Sequence, residues 1–200
     1  HLSLRRQRQM CIRDSSSPNT ENLQSFHDKD EFSQLCEAIQ TYKYKESLNV
    51  PIFIKLTSDL SLDGLGAMLT PITQTFDGII LANTTQQREA LHSNHREETG
   101  GLSGKPLFER NLKLISYAYK QTDGQFLIIG TGGIFNAEDV IKMMRQGASL
   151  VQIYSALVFE GPGLTQKLNK QLAHYLKSNG YNNVCLLYTS DAADEGLGVD

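Results

Sequence analysis

The stretch from Phe126 to Ser155, FLIIGTGGIFNAEDVIKMMRQGASLVQIYS, restricts the possible folds of this chain more than any other. It contains two short apolar runs, residues 126–130 and 150–154, and a segment with helical spacing between them. Asn136 is a typical N-cap for that helix, and Gly147 is a typical stop. Such a β-α-β unit of about thirty residues implies two parallel strands joined by a right-handed crossover.

A glycine pair, Gly132–Gly133, follows the first of these strands. Glycines at the start of a helix let a phosphate approach bare backbone N–H groups, since no side chain holds it away. A tight turn between a strand and a helix needs glycine for its dihedral angles alone. The pair by itself leaves both interpretations open.

The composition is that of a soluble globular chain, with 200 residues, 40% hydrophobic content and a formal charge of −3. No apolar run approaches the roughly 18 residues of a membrane-spanning helix. The two ends differ from the rest. Arg5–Ser15 and Cys185–Glu195 resemble translations, in opposite orientations, of one adapter used to prepare sequencing libraries. We therefore expect residues 1–15 and 185–200 to be non-native.

The remaining segment, residues 16–184, is then expected to be a fragment of a longer domain. It carries 15 basic and 17 acidic side chains, a net charge of −2, which indicates neither nucleic acid nor a membrane surface as a partner. Its one cysteine, Cys36, falls in the apolar stripe of an amphipathic helix and is predicted to be a core residue. No disulfide framework or cysteine metal site is predicted.

Two further strands are predicted upstream. Residues 51–56, PIFIKL, read as a buried parallel strand, so that Lys55 at its end either extends to solvent or contacts a ligand. Residues 78–82, GIILA, form the next strand, and Asn83 and Thr84 follow it directly. These polar residues either cap a turn or contribute to a site.

The segments between the strands are predicted to be helices or loops. Leucines at helical spacing from Leu62 predict a helix, which Pro71 is expected to end or kink. The polar stretch 86–98 is predicted to be a surface loop or lid. It contains His92 and His95, but no third ligand accompanies them, and no metal site is predicted.

Strands that alternate with helices, and that carry polar or glycine residues after their carboxyl ends, predict an α/β fold with its site on one rim. A closed (β/α)8 TIM barrel needs about 250 residues, so this segment would supply an incomplete barrel, its C-terminal part. An open doubly wound sheet is the alternative.

The motifs taken together resemble those of one known family, the dihydroorotate dehydrogenases, and specifically the class 2, quinone-linked members. Seven motifs stand in the family's order through residues 16–184: SSPNT, PIFIK, NTT, GGLSGKPL, IIGTGGI, GASLVQIYS and EGPGL. The family is a flavin-binding barrel that oxidises (S)-dihydroorotate to orotate in pyrimidine biosynthesis.

The resemblance implies the roles of individual residues. Ser17 matches the general base that removes a substrate proton, and Thr20 is a candidate for relaying it. Three amide or hydroxyl side chains match substrate-binding positions: Asn19, Asn83 and Thr84. Five residues match contacts to flavin mononucleotide (FMN), with the last three around its phosphate: Lys55, Gly104, Gly133, Tyr154 and Ser155.

Two departures from the family pattern stand near these residues. Glu21 to Gln24 replace the usual Pro-Gly-Leu-Arg after SSPNT, beside the substrate position. Ala82 stands where many members carry a threonine that contacts the flavin, which is expected to cost one hydrogen bond, about 0.5–1.5 kcal/mol.

The resemblance implies FMN as cofactor, a quinone as electron acceptor and no obligate protein partner. Family members of this class are peripheral membrane proteins of the bacterial or mitochondrial inner membrane, which they contact through an upstream segment. Two alternatives remain: another FMN-dependent barrel acting on a pyrimidine ring, and a non-redox phosphate-binding barrel enzyme. The fragment by itself is expected to be inactive.

Overall fold

Helices and strands alternate along the chain, as the sequence predicts. The computed structural model describes residues 29–88, 91–94 and 96–187. The elements in order are α1 (Lys29–Lys45), β1 (Phe53–Lys55), α2 (Leu62–Thr75), β2 (Gly78–Leu81), α3 (Phe108–Gln121), β3 (Leu127–Thr131), α4 (Ala137–Arg145), β4 (Leu150–Gln152), α5 (Ser155–Glu160) and α6 (Leu164–Ser178). A short 3₁₀ helix, Lys105–Leu107, leads into α3.

The four strands form one parallel sheet in the order β1-β2-β3-β4. Ile79 at the centre of β2 pairs with Ile54 on one side and with Ile128 on the other. Because all four strands run in the same direction, their carboxyl ends lie along one edge of the sheet. The segments that follow the strands are thereby brought together at that edge.

The predicted β-α-β unit is confirmed as β3, α4 and β4. Asn136 caps α4 by accepting a hydrogen bond from the backbone N–H of Asp139, and the Asp139 carboxylate accepts from the backbone N–H of Asn136, which forms a capping box. Both strands are shifted or shorter than predicted, since β3 ends at Thr131 and β4 ends at Gln152. Strand limits depend on pairing with a neighbour, which the local pattern does not contain.

The apolar core lies between the sheet and the helices that cover it. Its fully buried members come from several elements: Leu65, Ile72, Ile79, Leu81, Ile115, Ile128 and Met143. Helix α2 packs against both α1 and α3, and α4 packs against α6. Leu187, at the end of the described residues, is also buried in this core.

Of the two expectations for Pro71, that it ends or kinks its helix, the first is wrong, because α2 continues through it to Thr75. A proline inside a helix costs about 3 kcal/mol. Burial of a large apolar side chain stabilises by about 1.5–3 kcal/mol, and α2 buries such residues on both sides of the proline, Leu65, Met68 and Leu69 before it and Ile72 after it. The buried face therefore outweighs the proline.

Two side chains near α1 have shifted pKa values. Cys36 is 4% exposed, which confirms it as a core residue, and burial raises the pKa of its thiol although a hydrogen bond with Thr75 opposes the shift. The pKa of Asp77 is lowered, chiefly because the backbone N–H of Ile52 donates to its Oδ2 atom at 2.8 Å. Lys43 Nζ, 3.3 Å from the same oxygen, adds to this effect.

Candidate active site

A cleft lies at the carboxyl ends of the strands, where the predicted site residues follow the sheet. Its walls come from the ends of all four strands and from the segment before α3: Lys55, residues 82–84, Ser103, Gly104, Leu107, residues 131–135 and residues 152–156. The order of the strands explains this grouping, because adjacent parallel strands deliver their following loops to the same place.

The structure brings together seven residues that the sequence analysis assigned to substrate or cofactor. All seven line this one cleft: Lys55, Asn83, Thr84, Gly104, Gly133, Tyr154 and Ser155. The other three, Ser17, Asn19 and Thr20, lie outside the described residues, as do Glu21 to Gln24. The individual roles of all ten stay predictions.

The side chains that line the cleft in the described part of the chain carry positive charge and no negative charge. Lys55 is its one ionised side chain among the lining residues that the structure describes, and none of these is acidic. Hydroxyl and amide side chains add further polarity, among them those of Ser103, Ser155, Thr84 and Asn83. A cation surrounded by hydrogen-bond donors suits an anionic ligand.

Ser103 and Ser155 meet across the cleft. The hydroxyl of Ser155 donates to that of Ser103 at 2.9 Å, which links the start of α5 to the segment before α3. Tyr154, the residue before α5, is 81% exposed and stands at the rim. Ala82, at the departure from the family pattern, is buried in the cleft wall.

Backbone conformation and close packing explain why glycine is needed at both positions of the Gly132–Gly133 pair. Gly132 and Gly133 have φ angles of +99° and +78°, which side chains rarely adopt. A Cβ atom on Gly132 would lie 2.6 Å from Asn111 Nδ2, and one on Gly133 would lie 2.7 Å from the Cβ of Phe108. The turn therefore requires glycine because of its own packing against α3, whether or not a phosphate binds.

A buried polar chain behind the cleft was missed by the sequence analysis. The Ser58 hydroxyl donates to Asn111 Oδ1 at 2.5 Å, and Asn111 Nδ2 donates to the carbonyl oxygen of Thr131 at 2.7 Å. All three residues are buried. The available signal was Asn111 itself, a polar residue at a position of α3 that faces the core, four residues before the fully buried Ile115.

The loop of residues 86–101, which follows β2 and the residues Asn83 and Thr84, is held together at its two ends. Thr85 and Leu102 form an antiparallel bridge, with backbone hydrogen bonds of 3.1 and 2.7 Å. Asp59 holds the same position, because it accepts from the Thr85 hydroxyl and, at 3.0 Å, from the backbone N–H of Gln86. The Arg88 guanidinium donates across the loop to the carbonyl of Gly100. These contacts hold Asn83 and Thr84 at the cleft.

The segment that carries Gly104 is tied to α4. Lys105 Nζ lies 2.8 Å from Oδ1 of the buried Asp139, and its ammonium group also stands over the Phe108 ring, 4.7 Å from the centroid. The second carboxylate oxygen of Asp139 accepts from the backbone N–H groups of Phe135 and Asn136, at 2.9 and 3.3 Å. The Asp139 carboxylate therefore contacts the segment before α3, through Lys105, and the backbone that follows Gly133, through Phe135 and Asn136.

Neither a metal cluster nor a membrane-spanning helix is found in the part of the chain that the structure describes. Residues 29–88, 91–94 and 96–187 contain no group of three His, Cys, Asp or Glu side chains that could hold a metal ion. His92 is exposed, while His95 lies outside the described residues. Within the same ranges, each helix is too short or too polar to cross a bilayer.

Solved structures of known proteins share this fold. The ligand-free dihydroorotate dehydrogenase (DHODH) of Eimeria tenella superposes with a TM-score of 0.80 at 33% identity, over 87% of this chain and 53% of that chain. The same enzyme in complex with ferulenol gives a TM-score of 0.78, over 84% of this chain and 50% of that chain. The predicted α/β fold is confirmed: the sheet and its helices are part of a (β/α)8 barrel.

The sequence comparisons agree with the structural ones. A protein named dihydroorotate dehydrogenase (quinone) from Chelativorans sp. (strain BNC1) is 36% identical over 88% of this chain and 50% of its own length. One of the same name from Christiangramia forsetii is 39% identical over 78% of this chain and 46% of its own length. This chain thus spans about half the length of these relatives.

The family profile described as dihydroorotate dehydrogenase matches residues 8–176, which is most of the chain. The matched region includes every element from α1 to α5 and most of α6. The predicted resemblance is confirmed by these matches together with the relatives named for quinone. The chain belongs to the dihydroorotate dehydrogenase family and, within it, to the class 2 branch.

Proposed function

We propose that residues 16–184 form the C-terminal part of a barrel enzyme that oxidises (S)-dihydroorotate to orotate in pyrimidine biosynthesis, with FMN as cofactor and a quinone as electron acceptor. The observation that carries this proposal is the convergence of seven assigned residues on one cleft, whose lining in the described part of the chain has no acidic side chain. The names of the relatives support the same reaction. Peripheral attachment to a membrane through an upstream segment is part of the proposal.

The cleft fits FMN by the chemistry of its donors. The dianionic phosphate needs hydrogen-bond donors and no carboxylates, which is the composition of the wall around Gly133 and Ser155. A Cβ atom on Gly104 would lie 3.8 Å from the Cβ of Ser155, so a side chain there would narrow the cleft between these two residues. Lys55 stands at the end of β1, at the opposite side of the sheet from β4. It would supply a fixed positive charge beside the flavin ring.

FMN, when bound, supplies the two-electron acceptor for the hydride that leaves C6 of dihydroorotate. The protein supplies the rest of the chemistry. Ser17 would remove the proton from C5, with Thr20 passing the hydroxyl proton onward. Asn83 and Thr84 would orient the substrate through its carboxylate and ring amides, because amide and hydroxyl groups both donate and accept hydrogen bonds. Asn19 would do the same from the segment that carries Ser17.

The test uses the protein in which native coding sequence replaces residues 1–15 and extends upstream to the length of the relatives, which we call the extended protein. We expect it to purify with the absorbance of bound flavin and to reduce a quinone analogue when dihydroorotate is added. Ser17→Ala should lower kcat by about 10²–10⁴-fold, since it removes the general base, and should leave FMN bound. Ser16→Ala, one residue away, is the matched control and should retain activity.

An extended protein without bound flavin would refute the assignment to FMN. Flavin binding without dihydroorotate turnover would refute the substrate, and a panel of other pyrimidines would then identify the reaction. A Ser17→Ala protein with undiminished kcat would show that another group takes the proton.

We further propose that the 200-residue chain by itself aggregates or binds FMN poorly. In the described residues β1 and β4 are the outer strands of the sheet, and beside β4 several apolar side chains are exposed. Tyr154, Val158 and Phe159 are 81%, 78% and 76% exposed. Open strand edges with apolar neighbours favour association between chains. A soluble, monomeric and flavin-loaded 200-residue product would contradict this proposal.

A further inference from the structure

Asn111 stands behind the cleft, fully buried in α3, and is not among the residues that line it. We propose that Asn111 is a positioning residue, which holds the Gly132–Gly133 turn in the geometry that receives the FMN phosphate. The proposal rests on the proposed function for its ligand and on the contacts of Asn111 for its mechanism.

The first contact is with the turn itself. Asn111 Nδ2 donates to the carbonyl oxygen of Thr131, the residue before the glycine pair, at 2.7 Å. The same nitrogen stands 2.6 Å from the point where a Cβ of Gly132 would lie, so the amide packs directly on the turn. The backbone N–H of Ala82 also donates to the Thr131 carbonyl, at the longer distance of 3.4 Å. Asn111 therefore makes the shorter of these two contacts.

The second contact fixes the orientation of the amide. Ser58 donates its hydroxyl hydrogen to Asn111 Oδ1 at 2.5 Å, and the Ser58 carbonyl in turn accepts from Arg110 Nε. With Oδ1 turned toward the hydroxyl, Nδ2 is directed at Thr131, whose carbonyl only accepts. Asn111 thus joins the segment after β1 to the end of β3, although β2 lies between these strands.

This arrangement requires one acceptor and one donor at a fixed separation. An ionised aspartate keeps the shape and the contact with Ser58 but has no hydrogen to donate to Thr131. Leucine has a similar size and makes neither contact. Either change leaves the Thr131 carbonyl with its weaker partner, so the turn loses the constraint that precedes Gly132. The backbone groups that face the phosphate would then be less well ordered.

The test compares three variants in the extended protein: Asn111→Leu, Asn111→Asp and the control Leu114→Ala. Leu114 is buried one turn further along α3 and does not line the cleft, so its truncation destabilises the core without touching the turn. FMN affinity is measured on the apoprotein by the quenching of flavin fluorescence. We expect both Asn111 variants to raise the Kd for FMN at least tenfold and Leu114→Ala to leave it within about twofold.

The aspartate variant adds a signature that a purely structural role would not give. A protonated carboxyl group carries one O–H donor, so it restores the contact with Thr131 while its other oxygen accepts from Ser58. Burial favours the protonated form. The FMN affinity of Asn111→Asp, relative to the unsubstituted protein at the same pH, should therefore recover as the pH falls to about 5. Asn111→Leu should show no such recovery.

Hydrogen exchange of the apoprotein keeps the positioning role separate from the cofactor assignment. In the absence of FMN, the backbone amides of residues 132–135 should exchange faster in Asn111→Leu than in Leu114→Ala. Unchanged exchange or an unchanged Kd in both Asn111 variants would overturn the proposal, as would an equal loss of affinity in Leu114→Ala. If the unsubstituted protein binds no FMN, the proposed function fails, and the exchange experiment alone decides whether Asn111 holds the turn.

Discussion

Gly133→Ala is expected to destabilise the folded protein by about 2–5 kcal/mol without any contribution from a ligand. Two costs add at this position. A residue with a side chain at a φ of +78° pays about 1–2 kcal/mol for the left-handed conformation. The new Cβ would also stand 2.7 Å from the Phe108 Cβ and 3.0 Å from the Phe108 backbone, and overpacking of this kind costs about 1–3 kcal/mol.

Two other glycines separate these costs. Gly161 has the same φ of +78°, with a ψ of 177°, but nothing lies within 4 Å of a new Cβ, so Gly161→Ala should cost only the conformational part, about 1–3 kcal/mol. Gly163 has a φ of −71° and equally open surroundings. Gly163→Ala should therefore lie within about 1 kcal/mol of zero. A larger loss in the Gly133 variant than in the Gly161 variant would indicate the contact with Phe108.

The assay is urea unfolding of the three variants of the extended protein, prepared without FMN and followed by far-ultraviolet circular dichroism. The midpoint multiplied by the slope gives each free energy of unfolding. A Gly133→Ala variant that is no less stable than Gly161→Ala would refute the steric explanation. Glycine at position 133 would then be explained by its positive φ angle or by a ligand, and not by the contact with Phe108.

Three further predictions concern side chains outside the cleft. Asp139→Ala should cost about 2–4 kcal/mol in unfolding free energy, because the buried carboxylate caps α4, whereas Lys105→Ala, which removes its exposed partner, should cost at most about 1 kcal/mol. Asp77→Asn should lower stability slightly at neutral pH; since the folded pKa is lowered, this contribution is present above the unfolded pKa and is lost as the pH falls through the folded pKa. Cys36, buried and with a raised thiol pKa, should react with a maleimide only on unfolding, whereas the exposed Cys185 should react in the folded protein.

Each of these has a matching control. Equal losses from the alanine variants at 139 and 105 would show that the ion pair, and not the cap, holds the turn. Urea unfolding at several pH values tests Asp77, and a stability difference that persisted in strong acid would contradict the assigned pKa shift. For Cys36, labelling is located by peptide mapping in the extended protein, and rapid reaction of this thiol in the folded protein would contradict its burial.

The fold was predictable wherever a local pattern determines it. The capping box at Asn136 and the stop at Gly147 depend on residues a few positions apart, and α4 lies between them as expected. Pro71 does not end α2, because its effect is local while the burial that overrides it comes from packing against two other helices. The burial of Cys36 was predicted correctly, because the buried face of α1 follows from the helical spacing of its apolar residues.

The residues of the candidate site also fall into two groups, those that a local sequence pattern predicts and those that depend on distant contacts. Residues that follow strands, such as Asn83 and Gly133, could be found because strand ends are visible in the sequence and parallel strands deliver them to one edge. Asn111 could not be assigned, because its partners are 53 residues before it and 20 residues after it. Contacts at such separations are set by the packing of α3 on the sheet, which no short window of sequence contains.

The bridge between Thr85 and Leu102 has a consequence for how this protein can vary. It closes the loop at its base, together with the contacts of Gln86 and Arg88, so the chain between Arg88 and Gly100 can change in length without opening the bridge. Doubling the length of such a closed loop costs only about 0.6 kcal/mol. Natural variants and designed insertions should therefore accumulate beyond the bridge, and a tag or reporter inserted there would leave Asn83 and Thr84 where they are.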